Sequence, residues 1–346
     1  MMTSATAIFR QGYIVDRRND YIWFLALPFV AVLFALLAQE YLPGDGRALI
    51  AFFVTTPHHC ATWLRVYGSP LEFRRQRERL ILGPILLIGL AYGLVRLAPF
   101  ALLLIVFLWD HQHSIMQQYG FSRVYDFKAK TGAPSTPKFD LYFNWIFFVN
   151  MLVVSPLWSI YWLRLLHEWH LPLSTATVLL VQQISWTVTI GYGAVFLGHL
   201  VWCIYQGYPL NPLKYLFLLA SYFLWYYTSF TTGYLLVFVI AHRIMHGIQY
   251  LVMVYFYNRN EVQRRGGDSR LLTYLGQPRH LKVFVFVCAV YALAFELLTK
   301  IEERGFSFGD DIDLLGYSLI SSFALIHYYF DSFIWKVRRP EVQHAL

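Results

Sequence analysis

The chain has 346 residues, 58% of them hydrophobic and 19% aromatic, with only 14% charged and a mean hydropathy of +0.46. That composition excludes an ordinary soluble globule and points to an all-α polytopic membrane bundle. The net charge of +8 excludes little, because membrane proteins gather Lys and Arg in their cytoplasmic loops, and no basic run alternates with aromatics as a nucleic-acid site requires.

In chain order, apolar stretches fall near 21–41, 48–67, 80–95, 98–119, 139–163, 176–205, 212–230, 233–258, 279–299 and 312–337. Each is long enough to be read as a span, so the sequence predicts about ten transmembrane helices in one integral-membrane domain covering 1–346. The first run is too long for the core of a cleaved leader and reads as a retained helix. With both termini cytoplasmic, most of the 28 Lys and Arg fall on the cytoplasmic side, and Arg47, Arg96, Arg164, Lys300 and Arg304 fall opposite. The expected location is a bacterial inner (cytoplasmic) membrane, with the lipid bilayer as a partner and no nucleic acid. Cys60, Cys203 and Cys288 lie in apolar stretches without CxxC spacing and read as small core residues.

Histidine placement carries the chemistry. Of twelve histidines, His58, His59, His111, His113, His199, His242, His246 and His327 lie inside spans, every one in an even-numbered helix. Ionisable groups there are expensive and mark functional sites by default. At about 1.5 Å per residue most of them come out at similar depth. His242, His246 and Gln249 share a helical face, as do His327 and Asp331. On the fourth span two faces compete: Asp110, His113 and Gln117, or His111, Ser114 and Gln118.

Imidazole pairs with carboxylates on several helices of a bundle build metal sites, including di-iron sites, and this donor set suits iron, manganese or zinc. The expected ligands are therefore drawn from His58, His59, His111, His113, His242, His246, His327 and Asp331, for one or two ions. Adjacent His58 and His59 cannot both present their rings to one face. Asp110, Gln117, Gln249 and Arg243 are the expected groups for orienting ligands, moving protons or binding an anionic substrate group. His199, alone on its span, reads as a helix-to-helix hydrogen bonder.

On the His242–His246 HxxxH pair and the isolated histidines of earlier helices, the chain resembles the integral-membrane non-haem iron enzymes of the desaturase and hydroxylase group and, more remotely, the Brp/Blh carotene-cleaving proteins. It contains neither an HxxHH box nor a His-Gly-x-x-Asp-His sequence. The resemblance implies an iron-dependent oxygenase, desaturase or hydroxylase, while the placement of the histidines within apolar spans points to a hydrophobic small-molecule substrate and their cytoplasmic bias to an electron donor on that side. Two other functions use the same residues: a haem-b or quinone-linked electron carrier with two axial histidines, and a metal-ion or proton transporter.

Overall fold

A computed structural model describes residues 8–265, 269–303, 310–337 and 339–345. Among them the chain is helical, and the one extended pairing is an isolated bridge between Phe9 and Leu210. The chain forms two compact units, Met1–Ala48 with Ile115–Met245, and Leu49–Ser114 with His246–Leu346. The long helices Pro99–Ala129 and Leu235–Arg265 contribute residues to both.

In the first unit, helix ends follow capping chemistry. Asn211 accepts a hydrogen bond from Leu213 N at 3.2 Å, with Pro212 opening the Pro212–Thr231 helix. The same amide donates to Gly12 O and Tyr125 O at 2.9 and 3.1 Å, which ties the N-terminal segment down. Ser155-Pro156 ends the Thr136–Val154 helix and starts Pro156–Glu168, with a 72° bend between them. Carbonyls freed by that break are recovered by side chains: Gln182 Nε2 donates to Val153 O at 3.3 Å, and Trp162 Nε1 donates to Leu152 O at 3.2 Å. Phe24, Phe121 and Phe217 form an edge-packed aromatic core, with centroids 5.2 to 6.4 Å apart. Lys214, fully buried, reaches Asp126 at 2.9 Å and Asp140 at 3.1 Å, and Arg123 contacts both acids.

In the second unit, Pro57 restarts the chain one residue after the Gly44–Thr55 helix ends, because proline fits the first turn but cannot continue the preceding ladder. Thr56 keeps helical dihedrals (φ −67°, ψ −35°), so the ladder is interrupted there while the backbone runs on into Pro57–Tyr67 and its histidines. Arg77–Leu97 lies so close to Asp310–Ile334 that a Cβ on Gly83 would sit 2.4 Å from the Tyr329 ring. Val66, Leu80, Ile326, Phe330, Phe333 and Ile334 fill the space between these elements.

Among the described residues, five helices rather than the expected ten spans are long and apolar enough to cross a membrane: Arg17–Tyr41, Arg77–Leu97, Thr175–Tyr205, Leu235–Arg264 and Pro278–Phe295. The bent pair Thr136–Val154 and Pro156–Glu168 makes a sixth if it is one span. These helices suggest a membrane protein. Of the stretches that do not qualify, 48–67 is broken at Thr56, 98–119 carries Asp110-His111-Gln112-His113, and 212–230 carries Lys214. The stretch 312–337 is helical within Asp310–Ile334, but its first side chains lie outside the described residues, as do the Lys300 side chain and Arg304. Three of these four bear site residues, and the polar groups that make a site lower the apolarity that marks a span.

Candidate metal centre

Four histidines from four helices converge in the second unit: His58 on Pro57–Tyr67, His113 on Pro99–Ala129, His246 on Leu235–Arg265 and His327 on Asp310–Ile334. One ring nitrogen from each lies within 4.8 Å of the other three, and all four residues are buried. The rings meet edge to face: His58 to His246 and His327 at 5.2 and 4.7 Å, and His113 to the same two at 5.0 and 4.9 Å. Four imidazole nitrogens around one ion at about 2.1 Å stand roughly 3–4 Å apart, so inward shifts of roughly an ångström or less would close the group on a metal.

The chemistry of the set fits a cation. His327 Nε2 is fully buried and has no hydrogen-bond partner among the described residues. A buried lone pair left without a donor is costly, and a metal ion satisfies it. Asp331, four residues on, places Oδ2 3.8 Å from both His113 Nε2 and His327 Nε2. The four buried histidines are therefore able to hold a metal ion.

Packing behind the rings accounts for their placement. Tyr328 stacks on His113 at 5.0 Å and donates to Asp110 Oδ1 at 2.9 Å, so Asp110 holds the wall behind a ligand. Arg65, buried between the rings of Trp335 and Tyr257 at 3.5 and 3.9 Å, donates to Ile334 O at 2.8 Å. A cation at that helix C-terminus is favourable, and it anchors the end of the helix that carries His327 and Asp331.

Gly247 sits beside His246 where a Cβ would come within 2.6 Å of Val54 O and 3.6 Å of His58 Nδ1. Gly247→Ala gains about 1 kcal/mol of helix propensity but forces an overpacked contact costing about 1–3 kcal/mol. Stability should therefore fall by up to about 2 kcal/mol while His246 is pushed away from His58. Metal titration of the folded variant is expected to show weaker binding. Equal affinity would mean that the close approach does not set the spacing.

The sequence-based candidates distribute unevenly. His59 borders the group, with its ring 4.5 Å from His58 and 4.6 Å from His327, but is not one of the four. His111 turns back to its own helix, with Nδ1 2.7 Å from Phe107 O. His242 lies in the first unit, where Trp225 Nε1 donates to its Nδ1 at 2.6 Å and Phe238 stacks on it at 5.9 Å. Of the expected His242–His246 pair, His246 is one of the four and His242 is not. Arg243 and Gln117 also fall in the first unit, whereas fully buried Gln249 belongs to the second. His199 meets Thr136 Oγ1 at 3.0 Å and stacks on Phe139 at 3.9 Å, a structural role. All three cysteines are buried.

Sequence reasoning missed Thr62, Tyr250 and Trp335. Each stands four residues beyond a site residue, His58, His246 and Asp331 respectively. Extending each helical face by one turn would have found them.

Fold and site together define a helical protein with membrane-length apolar helices and a buried four-histidine centre able to hold a metal ion. Comparison of the chain with protein-family models, with curated proteins and with solved structures found no match.

Proposed function

We propose that the protein is a membrane-embedded, metal-dependent oxidoreductase, a non-haem iron oxygenase, desaturase or hydroxylase acting on a lipid-soluble substrate. The observation that carries this reading is the convergence of His58, His113, His246 and His327 from four helices, with the Asp331 carboxylate 3.8 Å from two of them. Imidazole with carboxylate suits iron, manganese or zinc, and no cysteine belongs to the group. Bound iron would supply dioxygen activation, with electrons from a reductant. In this reading the four histidines hold the ion, Asp331 offers an oxygen beside it, and the buried surroundings exclude water. His59 and Asp331 are the groups from which a second ion would draw.

The crowding also weighs against haem. A porphyrin needs a clear disc between its two axial ligands, and here two further imidazoles occupy that space, with ring centroids 4.7 to 5.2 Å apart.

Elemental analysis of protein purified in detergent should find about one or two transition-metal ions per chain, accompanied by a paramagnetic signal and no Soret band. A folded preparation without metal that iron, manganese and zinc all fail to load would overturn the reading. A strong Soret band would replace it with the haem alternative.

A further inference from the structure

His327 carries more information than its position, because the hydrogen bonds behind it have a determinable direction. Its Nδ1 lies 2.9 Å from Thr62 Oγ1, and Thr62 Oγ1 lies 2.7 Å from Tyr250 Oη. Tyr250 Oη donates to Asp331 Oδ1 at 2.7 Å and accepts from Trp335 Nε1 at 3.2 Å. Distances alone leave the first two contacts undirected, since a hydroxyl or a ring nitrogen can donate or accept.

Counting hydrogens removes the ambiguity. An indole N–H can only donate, so the Tyr250 oxygen accepts from Trp335. Asp331 as a carboxylate can only accept, so the single phenolic hydrogen goes to its Oδ1 and the Thr62 contact is then one in which Thr62 donates to Tyr250. Thr62 then has no hydrogen left for His327, and its oxygen must accept from His327 Nδ1–H. The other acceptor near the Thr62 hydroxyl, His58 O, is 3.5 Å away and competes poorly with Tyr250.

We infer that Thr62 and Tyr250 are positioning residues that hold His327 as the Nδ1–H tautomer, so that its Nε2 lone pair is the one presented to the metal. This rests on the proposed metal centre and specifies its construction. The same network engages Asp331 Oδ1, leaving Oδ2 as the oxygen that faces His113 and His327 at 3.8 Å. All the residues concerned lie in one unit, and Thr62, Tyr250 and His327 are buried to 2% exposure or less. A buried tautomer held by a hydrogen bond cannot exchange through solvent, and outer partners of this kind typically contribute 10–100-fold to metal affinity.

The test compares cobalt(II) affinity and visible absorption across Thr62→Val, Thr62→Ser and Tyr250→Phe in the full-length protein. Valine keeps the shape but removes the acceptor, so affinity should fall about 10–100-fold with an altered spectrum. Serine restores the oxygen and should restore both. Tyr250→Phe releases the Thr62 hydrogen to turn toward His327, permits the other tautomer and should give an intermediate loss. If folded Thr62→Val matches wild type, or Thr62→Ser loses as much as valine, the inference is overturned. Should Thr62→Val fail to fold, wild-type affinity and spectrum in Tyr250→Phe overturn it instead. Wild-type protein that binds no metal at all would overturn the proposed function, and this inference with it.

Discussion

Replacing His58, His113, His246 or His327 singly by alanine is expected to weaken metal binding by about a hundredfold or more, and replacing two together should give metal-free protein. Apparent binding energies for small structural metal sites are on the order of 10–16 kcal/mol, so each of four ligands contributes roughly 3 kcal/mol. The informative control is His242→Ala. Read from the sequence, His242 and His246 are equivalent members of one HxxxH pair, whereas in the structure His242 accepts from Trp225 and His246 joins the four. His242→Ala should therefore retain its metal while losing the stability that the Trp225 hydrogen bond provides, about 1–2 kcal/mol. Competition titration with a chelator reads both outcomes. Metal lost from His242→Ala but kept by His246→Ala would reverse the assignment. Bound metal should also raise the thermal midpoint of wild type, since a ligand at a thousand times its Kd stabilises by about 4 kcal/mol. The single variants should forfeit most of that gain.

Lys214→Met is expected to be the most damaging change outside the metal centre. Lys214 is fully buried with Nζ 2.9 Å from Asp126 Oδ2 and 3.1 Å from Asp140 Oδ2, and Asp140 is itself fully buried. Two cations and two carboxylates make the group neutral as built, with Arg123 bridging the same acids and Thr131 donating to Asp126 Oδ1 at 2.8 Å. Methionine preserves most of the stem but leaves two buried carboxylates to share one guanidinium. Removing one partner of a buried ion pair typically costs about 3–5 kcal/mol, because the remaining charge is uncompensated. Thermal unfolding in detergent should show a large drop in midpoint. Combining Lys214→Met with Asp140→Asn should recover part of it, which a double-mutant cycle would measure. A midpoint close to wild type in the single variant would mean that the network is not the brace it looks to be. Metal affinity serves as a second readout, since the quartet and the four histidines belong to different units.

How much of this was legible beforehand differs between the two units. Histidines in apolar stretches at similar expected depth were visible as a pattern, and four of the eight named ligand candidates do converge. The ion-pair quartet was not visible. Lys214, Asp126 and Asp140 lie near the ends of apolar stretches, where solvent accounts for a charge without any partner. Pairing them requires Lys214 to meet two acids 74 and 88 residues earlier in the chain, and no local pattern encodes that. Ten spans were expected because each apolar stretch was measured alone, yet several of those stretches carry the polar groups that the structure assembles.

Composition and helical periodicity determined the helical class, the apolar character and which residues could share a face, because these depend only on side-chain chemistry and the 3.6-residue repeat. Tertiary structure decided which histidines meet. His58 rather than His59, and His246 rather than His242, belong to the four. Neighbours in sequence on one helix point about 100° apart or stand one turn apart, and only the placement of the other three helices selects the ring that meets the common centre. It likewise decided that Thr62 and Tyr250, silent in the sequence, stand behind His327. A hydrogen bond across 265 residues of chain has no local signature.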